Sequence, residues 1–294
     1  MMKMKLSILF LPLLSVATMA NASDKLAPEG VGSEAYGWTA NLKKAAIQLT
    51  STEVSNAEEY RDSPNSQLSG DSETVVKGVF DFALTQEKEN YKWENSLFME
   101  YGKTKLKPVD GPNVENETAD KILLATDYAR KVWQYWGAYV GPFANLAYQT
   151  EFEPNDDAPR TKIFRGMTGL KMFDGKYIKN LYGAIVGEYD FTYSHDKTTK
   201  AAYEIGLEAE YPLREGVTFN VDSYFRDYFA YSAYNPTDFE YELSAKANMM
   251  VDIYEGLQIG PFIQYFRAED RGSKKYGAST IIGIEGSYGG SWGL

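Results

Sequence analysis

Residues 239–253 read FEYELSAKANMMVDI, and polarity alternates along them from one position to the next. The odd-numbered positions are all apolar, whereas the even-numbered positions are mostly charged or polar, beginning with Glu240 and Glu242. Successive residues of a β-strand point to opposite faces, so a strand here would have one apolar face and one polar face. A helix through the same residues would carry charge on every side. The stretch therefore predicts a β-strand that separates an apolar environment from a polar one.

The same alternation recurs along the chain after a polar opening. It is clearest again at 181–193 and 201–211. Weaker versions lie at 38–52, 74–86, 91–102, 120–130, 133–150, 162–173, 217–231, 257–269 and 278–294. Together these segments predict twelve strands. The first strand is the least regular, because the adjacent lysines Lys43 and Lys44 place a charge on each face.

The connections between the predicted strands alternate in length. The long ones are 53–73, 103–119, 151–161, 194–200, 232–238 and 270–277, and they collect Pro, Asn, Asp and Ser. Three of the short ones contain the turn pairs Asp174-Gly175, Glu215-Gly216 and Glu255-Gly256. Outer-membrane barrels combine short periplasmic turns with longer external loops in this way. We therefore predict an all-β transmembrane antiparallel β-barrel of about twelve strands over residues 38–294. A β-propeller is the alternative, but its blades need four short strands and a repeat signature that this chain lacks.

The N-terminal segment predicts export. Residues 1–22 contain Lys3 and Lys5, then a short apolar run, then Ala20-Asn21-Ala22, which is the pattern of a cleaved signal peptide. The apolar run is much shorter than the ~20 residues needed to span a bilayer as a helix. Residues 23–37 form a predicted periplasmic lead-in. The predicted location is the outer membrane of a Gram-negative-type cell.

Aromatic residues concentrate near the ends of the predicted strands. One group, beside the long loops, comprises Tyr189, Phe191, Tyr193, Tyr203, Phe239, Tyr241 and Tyr265, and the other comprises Trp93, Trp136, Tyr211 and Tyr288. Two aromatic girdles flank the lipid-facing band of transmembrane barrels. A soluble β-sheet core rich in Tyr is the alternative, because aromatic residues also favour ordinary strands.

The last eight residues, SYGGSWGL, are similar to the signal that outer-membrane barrels present to the barrel-assembly machinery. The matching positions are Ser287, Gly289, Trp292 and Leu294. The usual final residue of that pattern is Phe or Trp, so Leu294 departs from it. A Gly-rich frayed tail is the alternative, because Gly weakens strands.

Composition excludes several classes of function. The chain has 294 residues, no Cys and one His, which excludes thiolate chemistry and multi-His metal sites. A net charge of −11 argues against binding to nucleic acid. The acidic loops lack the tight spacing of a calcium loop, and bridging to lipopolysaccharide through divalent ions accounts for them better. We predict no cofactor and no metal site.

Short motifs between residues 91 and 152 add a resemblance. Trp93-x-Asn95, Tyr101-Gly102, Asp120-x-Ile122-x-Leu124, Trp133 and Tyr148-Gln149-Thr150-Glu151-Phe152 occur in this order. In these motifs the chain resembles an uncharacterised family of bacterial outer-membrane barrels, known as a domain of unknown function. A looser likeness links it to salt-induced outer-membrane barrels. Both resemblances imply a fold and a location, and neither implies catalytic residues.

The only histidine, His195, follows Ser194 in a predicted external loop. A Ser-His hydrolase needs nucleophile, base and orienting acid to converge in space, and adjacent loop residues do not supply that geometry. We predict a solvated histidine and no enzymatic activity. A lipid hydrolase of the outer membrane is kept as a minor alternative.

The polar faces of the strands predict the lumen. Its predicted lining is Lys77, Asp81, Arg165, Lys171, Glu188, Asp190, Glu204, Glu208, Asp222, Tyr224, Arg226, Glu240, Glu242 and Lys246. Tyr135, Tyr139, Tyr182 and Tyr228 are further inward candidates. Acids outnumber bases in this set, which predicts a weak preference for cations, since rings of charge select ions by sign. The leading hypothesis is a narrow diffusion channel for small polar solutes, and the alternative is a closed structural or surface-interaction barrel. The solute and the oligomeric state are left open.

Overall fold

The computed structural model describes residues 37–60, 68, 74–106, 114–154, 159–233, 238–272 and 275–294. The predicted signal peptide at 1–22, and the predicted lead-in at 23–37 except for Gly37, lie outside the described residues. In the part of the chain that is described, no helix is long and apolar enough to cross a membrane.

The described chain is built from antiparallel strands. Their bounds are β1 Trp38–Ser55, β2 Thr74–Glu87, β3 Tyr91–Leu106, β4 Val114–Arg130, β5 Trp133–Tyr135, β6 Ala138–Thr150, β7 Ile163–Phe173, β8 Ile178–Asp190, β9 Thr198–Arg214, β10 Val217–Tyr231, β11 Phe239–Tyr254, β12 Leu257–Asp270 and β13 Gly277–Gly293. A 3₁₀ turn at Ala57–Tyr60 follows β1. Every strand except β5 is long enough to cross a bilayer, which takes about 9–11 residues.

Neighbouring strands pair in chain order, and β13 pairs with β1 to close the sheet. On the other side of the ring β4 pairs with β6, so the barrel has twelve strands and β5 only extends its periplasmic end. The predicted twelve-stranded antiparallel barrel is confirmed. Closure leaves no edge strand, so all the long strands have a partner on both sides.

The predicted strand at 133–150 is in fact two strands. A two-residue turn separates β5 from β6, because Trp136 and Gly137 both have positive φ, at 48° and 76°. Two successive residues of positive φ make the tight hairpin turn that suits twisted strands. The apolar alternation runs through this turn and hides it.

A β-bulge explains the irregular first strand. The pairing of β1 with both neighbours shifts register between Leu42 and Ala45. The extra residue lets two consecutive side chains share one face. Lys43 reaches Glu94 and Lys44 reaches Glu285, so both ammonium groups lie inside the barrel.

The outer surface of the barrel is apolar. Its exposed side chains include Ile47, Leu49, Ile185, Ile205, Ile263, Ile282 and Ile284. The residues between them are the buried ones, many of them charged, such as Glu188, Glu204 and Glu285. An apolar outside with a polar inside is the arrangement that a barrel takes in lipid.

The predicted external girdle needs one correction. A bulge in the pairing of β11 with β12, between Phe239 and Tyr241, turns Phe239 inward, where it packs against Phe266. Glu240, predicted to line the lumen, is the additional residue of this bulge and is exposed at the external rim.

Candidate functional site: the charged barrel interior

Cross-strand ion pairs fill the middle of the barrel. The basic members of this ion-pair belt are Lys44, Lys77, Arg165, Arg226 and Lys246, and the acidic members are Glu100, Glu188, Glu204, Glu242 and Glu285. They come from β1, β2, β3, β7, β8, β9, β10, β11 and β13. The belt therefore has five positive and five negative members, and its own charge is balanced.

Glu285 of β13 anchors one side of the belt. Its side chain is 0% exposed and accepts hydrogen bonds from Lys44 Nζ at 2.7 Å and Lys246 Nζ at 2.9 Å. Gln48, which lies directly opposite on β1, donates a further hydrogen bond to the same carboxylate. A buried carboxylate must be paired in this way, because removing a charge from water is costly.

Arg226 of β10, three strands away from β13 around the ring, anchors a second cluster of the belt. Its guanidinium bridges Glu204 on β9 and Glu242 on β11, with Nη1 lying 2.6 Å from Glu242 Oε1. The same Nη1 donates to Tyr228 Oη at 3.2 Å. Three adjacent strands are thus tied together by one planar, multidentate cation, a geometry to which arginine is well suited.

Tyr182 completes this cluster from β8. Its hydroxyl donates to Glu204 Oε1 at 2.5 Å. To reach that position its ring lies across Gly206, the residue it faces on β9. Only a glycine leaves room there, because a Cβ at position 206 would overlap the ring.

Lys121 of β4 lies in the belt but differs from its members. Within the described residues no carboxylate approaches its ammonium to 4 Å, although Glu100 is its direct partner in the β3–β4 ladder. Glu100 is instead paired with Lys77 at 3.1 Å. The Lys121 ammonium lies 5.9 Å from the centre of the Phe98 ring.

An acidic vestibule lies on the periplasmic side of the belt. It consists of Asp81, Glu208 and Asp222, each four residues nearer to a periplasmic turn than Lys77, Glu204 and Arg226 on the same strands. Glu208 and Asp222 are exposed, and Asp81 is partly exposed. Asp81 and Asp222 interact electrostatically although they belong to β2 and β10, on opposite sides of the ring. Lys43 also interacts with Asp81 and Glu208, but it is itself paired with Glu94, so the three vestibule carboxylates are in excess of the positive charge beside them.

Part of the connection between β1 and β2 packs at the external end of the barrel. Tyr60 and Leu68, from the connection between β1 and β2, are buried against Phe266 and Ala268 of β12. The Tyr60 hydroxyl donates to the Lys275 carbonyl at 2.6 Å. This connection thus packs partly into the external mouth instead of extending away from it.

The structure distributes the predicted lumen residues over these zones. Arg165, Glu188, Glu204, Arg226, Glu242, Lys77 and Lys246 belong to the belt, and Asp81, Glu208 and Asp222 to the vestibule. Lys171 pairs with Asp127 near the periplasmic end, Tyr224 lies beside Arg226, and Asp190 accepts a hydrogen bond from the Thr192 amide at the end of β8. Tyr139 packs on Phe173, whereas Tyr135, a predicted inward residue, is exposed and stacks on Trp136.

Sequence reasoning missed several interior charges. They are Lys43, Lys44, Glu94, Glu100, Lys121, Asp127 and Glu285. Six of the seven lie on β1, β3 and β4, whose alternation is weaker than that of the three clearest strands. Lys121 and Asp127 are six residues apart on β4, so alternation places both on the same face, and this would have identified them as interior residues. The bulge hides Lys43 and Lys44, because parity changes between them.

The predicted assembly signal lies on the closing strand. Ser287 is buried and pairs with Ala46, and Trp292 pairs with Ala40. Gly289 lies against the bulge, close to the Leu42 and Lys43 carbonyls. The Leu294 amide donates to the Trp38 carbonyl at 2.7 Å, and its side chain is exposed.

His195 is exposed in the connection between β8 and β9. The described part of the structure shows no hydrogen bond to its ring. Across the same described ranges, no group of three or more His, Cys, Asp and Glu side chains is placed to hold a metal ion.

A family model matches part of the chain. The family described as "Protein of unknown function (DUF3078)" matches residues 65–155. This match confirms the resemblance drawn from the motifs between Trp93 and Phe152. A comparison with curated proteins produced no match.

Solved structures with a similar shape are outer-membrane proteins. The outer-membrane channel DcaP of Acinetobacter baumannii is 8% identical, with a TM-score of 0.43 over 89% of this chain and 99% of its own. An outer-membrane channel from Pseudomonas putida F1 is 10% identical, with a TM-score of 0.46 over 91% and 100%. Outer-membrane phospholipase A from Escherichia coli is 9% identical, with a TM-score of 0.44 over 82% and 89%.

Proposed function

We propose that this protein is a non-enzymatic outer-membrane barrel that forms a narrow diffusion channel for small polar solutes and prefers cations weakly. The observation that carries the proposal is the acidic vestibule. Glu208 and Asp222 are exposed although they lie on the interior face, so solvent reaches the lumen at least as far as these carboxylates. Twelve strands enclose more space than the eight whose side chains just fill a barrel.

The cation preference belongs to the vestibule in this proposal. The ion-pair belt is balanced, so its paired charges contribute little net field. The three vestibule carboxylates lie on the same level of the lumen, and together they attract cations to its periplasmic end. The cation preference is therefore attributed to these three carboxylates, and no longer to an excess of acidic over basic residues along the whole lumen.

The proposal also covers the location and the partners of the protein. The signal peptide predicted at 1–22 would export the chain, and the apolar outer surface suits lipid. The C-terminal strand, with Ser287, Gly289, Trp292 and Leu294, would be presented to the barrel-assembly machinery. The acidic external loops would meet lipopolysaccharide through divalent ions.

A closed barrel is the second candidate, and two observations favour it. Gln48 and Glu285 are almost fully buried in the belt, and Tyr60 and Leu68 are buried in the external mouth. If these groups block passage, the barrel serves as a structural or surface-interaction protein. No comparable observation favours the lipid hydrolase, because His195 lies alone in an exposed loop among the described residues.

Planar-bilayer recording of the purified full-length protein tests the channel. We expect discrete current steps and, under a KCl gradient, a reversal potential that indicates weak cation preference. Combined Glu208→Gln and Asp222→Asn substitutions should remove that preference, whereas Glu255→Gln in a periplasmic turn should not change it. If the wild-type protein gave no current steps at any voltage, the channel would be rejected in favour of the closed barrel.

A further inference from the structure

The unpaired ammonium of Lys121 lies in the belt, level with Glu100 of β3. Each basic member of the belt has a carboxylate within 4 Å, whereas Lys121 has none among the described residues. Its interior position is fixed by the β3–β4 ladder, in which it faces Glu100. One positive charge is thus left over in an otherwise balanced ring.

Lys121 interacts with charged groups on both sides of the barrel interior. It interacts electrostatically with Glu100 of β3, Arg165 of β7 and, from the opposite side of the ring, Arg226 and Glu242 of β10 and β11. Asp222 in the vestibule also interacts with it. Groups from four other strands therefore contribute to the electrostatic field at this ammonium, as expected for a charge that faces the lumen.

The neighbours of Lys121 do not neutralise it. Glu100 and Glu242 attract the ammonium, but Lys77 and Arg226 already hold these two carboxylates at 3.1 and 2.6 Å. Arg165 and Arg226 repel it. The residual field at the belt is therefore positive, opposite in sign to the field of the vestibule.

We propose that Lys121 is the residue that determines ion selectivity at the ion-pair belt, where it opposes the entry of cations that the vestibule attracts. The two zones act in series, and their opposition keeps the overall cation preference weak. This inference rests on the proposed channel function. The belt would favour a small inorganic anion, whereas the vestibule would favour a small cation.

The test compares Lys121→Gln, Lys121→Arg and wild-type protein in planar bilayers under a KCl gradient. We expect Lys121→Gln to raise the permeability ratio of K⁺ over Cl⁻ by about threefold or more, because a lone charge in a narrow polar pore selects by sign. Lys121→Arg keeps the charge and should retain the wild-type ratio. The control Lys176→Gln removes an exposed lysine from a periplasmic turn and should leave the ratio unchanged.

The outcomes separate the two claims. A wild-type channel whose ratio is the same in Lys121→Gln overturns the role of Lys121 and leaves the channel standing. A wild-type protein that never conducts overturns the channel and, with it, this inference. Heat-modifiable migration on gels shows whether Lys121→Gln still folds. If it does not fold, Lys121→Met removes the same charge, and its permeability ratio of K⁺ over Cl⁻ is compared with that of the wild type instead.

Discussion

At the scale of single residues, the size of one side chain inside the barrel decides whether its neighbour can reach an ion-pair partner. Tyr182 can donate to Glu204 only because Gly206 leaves space beneath its ring. Large aromatic rings often cover a cross-strand glycine in this way, since the bare backbone would otherwise be left unpacked. The glycine is therefore part of the ion-pair cluster, although it has no charge.

Gly206→Ala tests this packing. The new methyl group should displace the Tyr182 ring and destabilise the barrel by about 1–3 kcal/mol, the usual cost of overpacking. The matched control is Gly187→Ala on β8, where a Cβ has open space, and there a gain of about 0.5 kcal/mol is expected from reduced backbone freedom. Urea titrations in detergent measure both, and equal effects in the two variants would refute the argument.

Glu285→Gln tests the belt at its most buried carboxylate. The change leaves Lys44 and Lys246 without their counter-charge, and we expect a loss of roughly 2 kcal/mol. This is below the 3–5 kcal/mol for breaking a buried pair, because both lysines stay partly exposed. Glu215→Gln, in an exposed turn, is the control and should be nearly neutral. The same titrations apply, and wild-type stability in Glu285→Gln would show that this carboxylate is not needed.

At the scale of elements, bulges decide which face a side chain takes. In β1 the register shift between Leu42 and Ala45 places Lys43 and Lys44 on the same face. In β11 a second bulge turns Phe239 inward and leaves Glu240 exposed at the rim. Alternation counted along the sequence is reliable between bulges and changes sign across them.

Deletion variants can show that the β1 bulge is one additional residue. Removing Lys43 should restore regular alternation and leave the other side chains of β1 on their present faces. Removing Ile47 should instead reverse the faces of one part of the strand, sending Gln48 and Thr50 towards lipid or Ala45 inward. We expect a heat-modifiable barrel from the first deletion and little or none from the second. Similar folding yields would contradict the bulge.

At the scale of the whole molecule, closure depends on the pairing of the last strand with the first. The ladder between β13 and β1 runs from Ser55 and Ala278 at the external end to Thr39 and Gly293 at the periplasmic end. A closed barrel exposes no strand edge and resists unfolding in detergent.

Gel migration after refolding tests closure. The unboiled wild-type protein should migrate differently from the boiled one. A variant that ends at Gly286 loses the part of the ladder beyond Ile47 and should migrate alike with and without boiling. Refolding from urea into detergent removes the need for assembly machinery, so that a lost signal cannot explain the result. Identical migration of both wild-type samples would reject the closed barrel.

The sequence by itself determined the fold class, the strand number and nearly all strand positions. Period-two alternation is a local property, and loop length separates the two ends of a barrel without knowledge of any contact. Glu204, Arg226 and Glu242 could be assigned to the interior for the same reason, because they lie on strands with clean alternation.

Only the tertiary structure decided which charges meet and which one does not. Glu285 binds lysines from β1 and β11, and Lys121 faces a carboxylate that Lys77 already holds. These relations depend on register, bulges and distances across the ring, none of which is encoded within a single strand. The sequence therefore predicted a charged lumen, whereas the structure resolved it into a balanced ion-pair belt, one unpaired lysine at the level of that belt and an acidic vestibule.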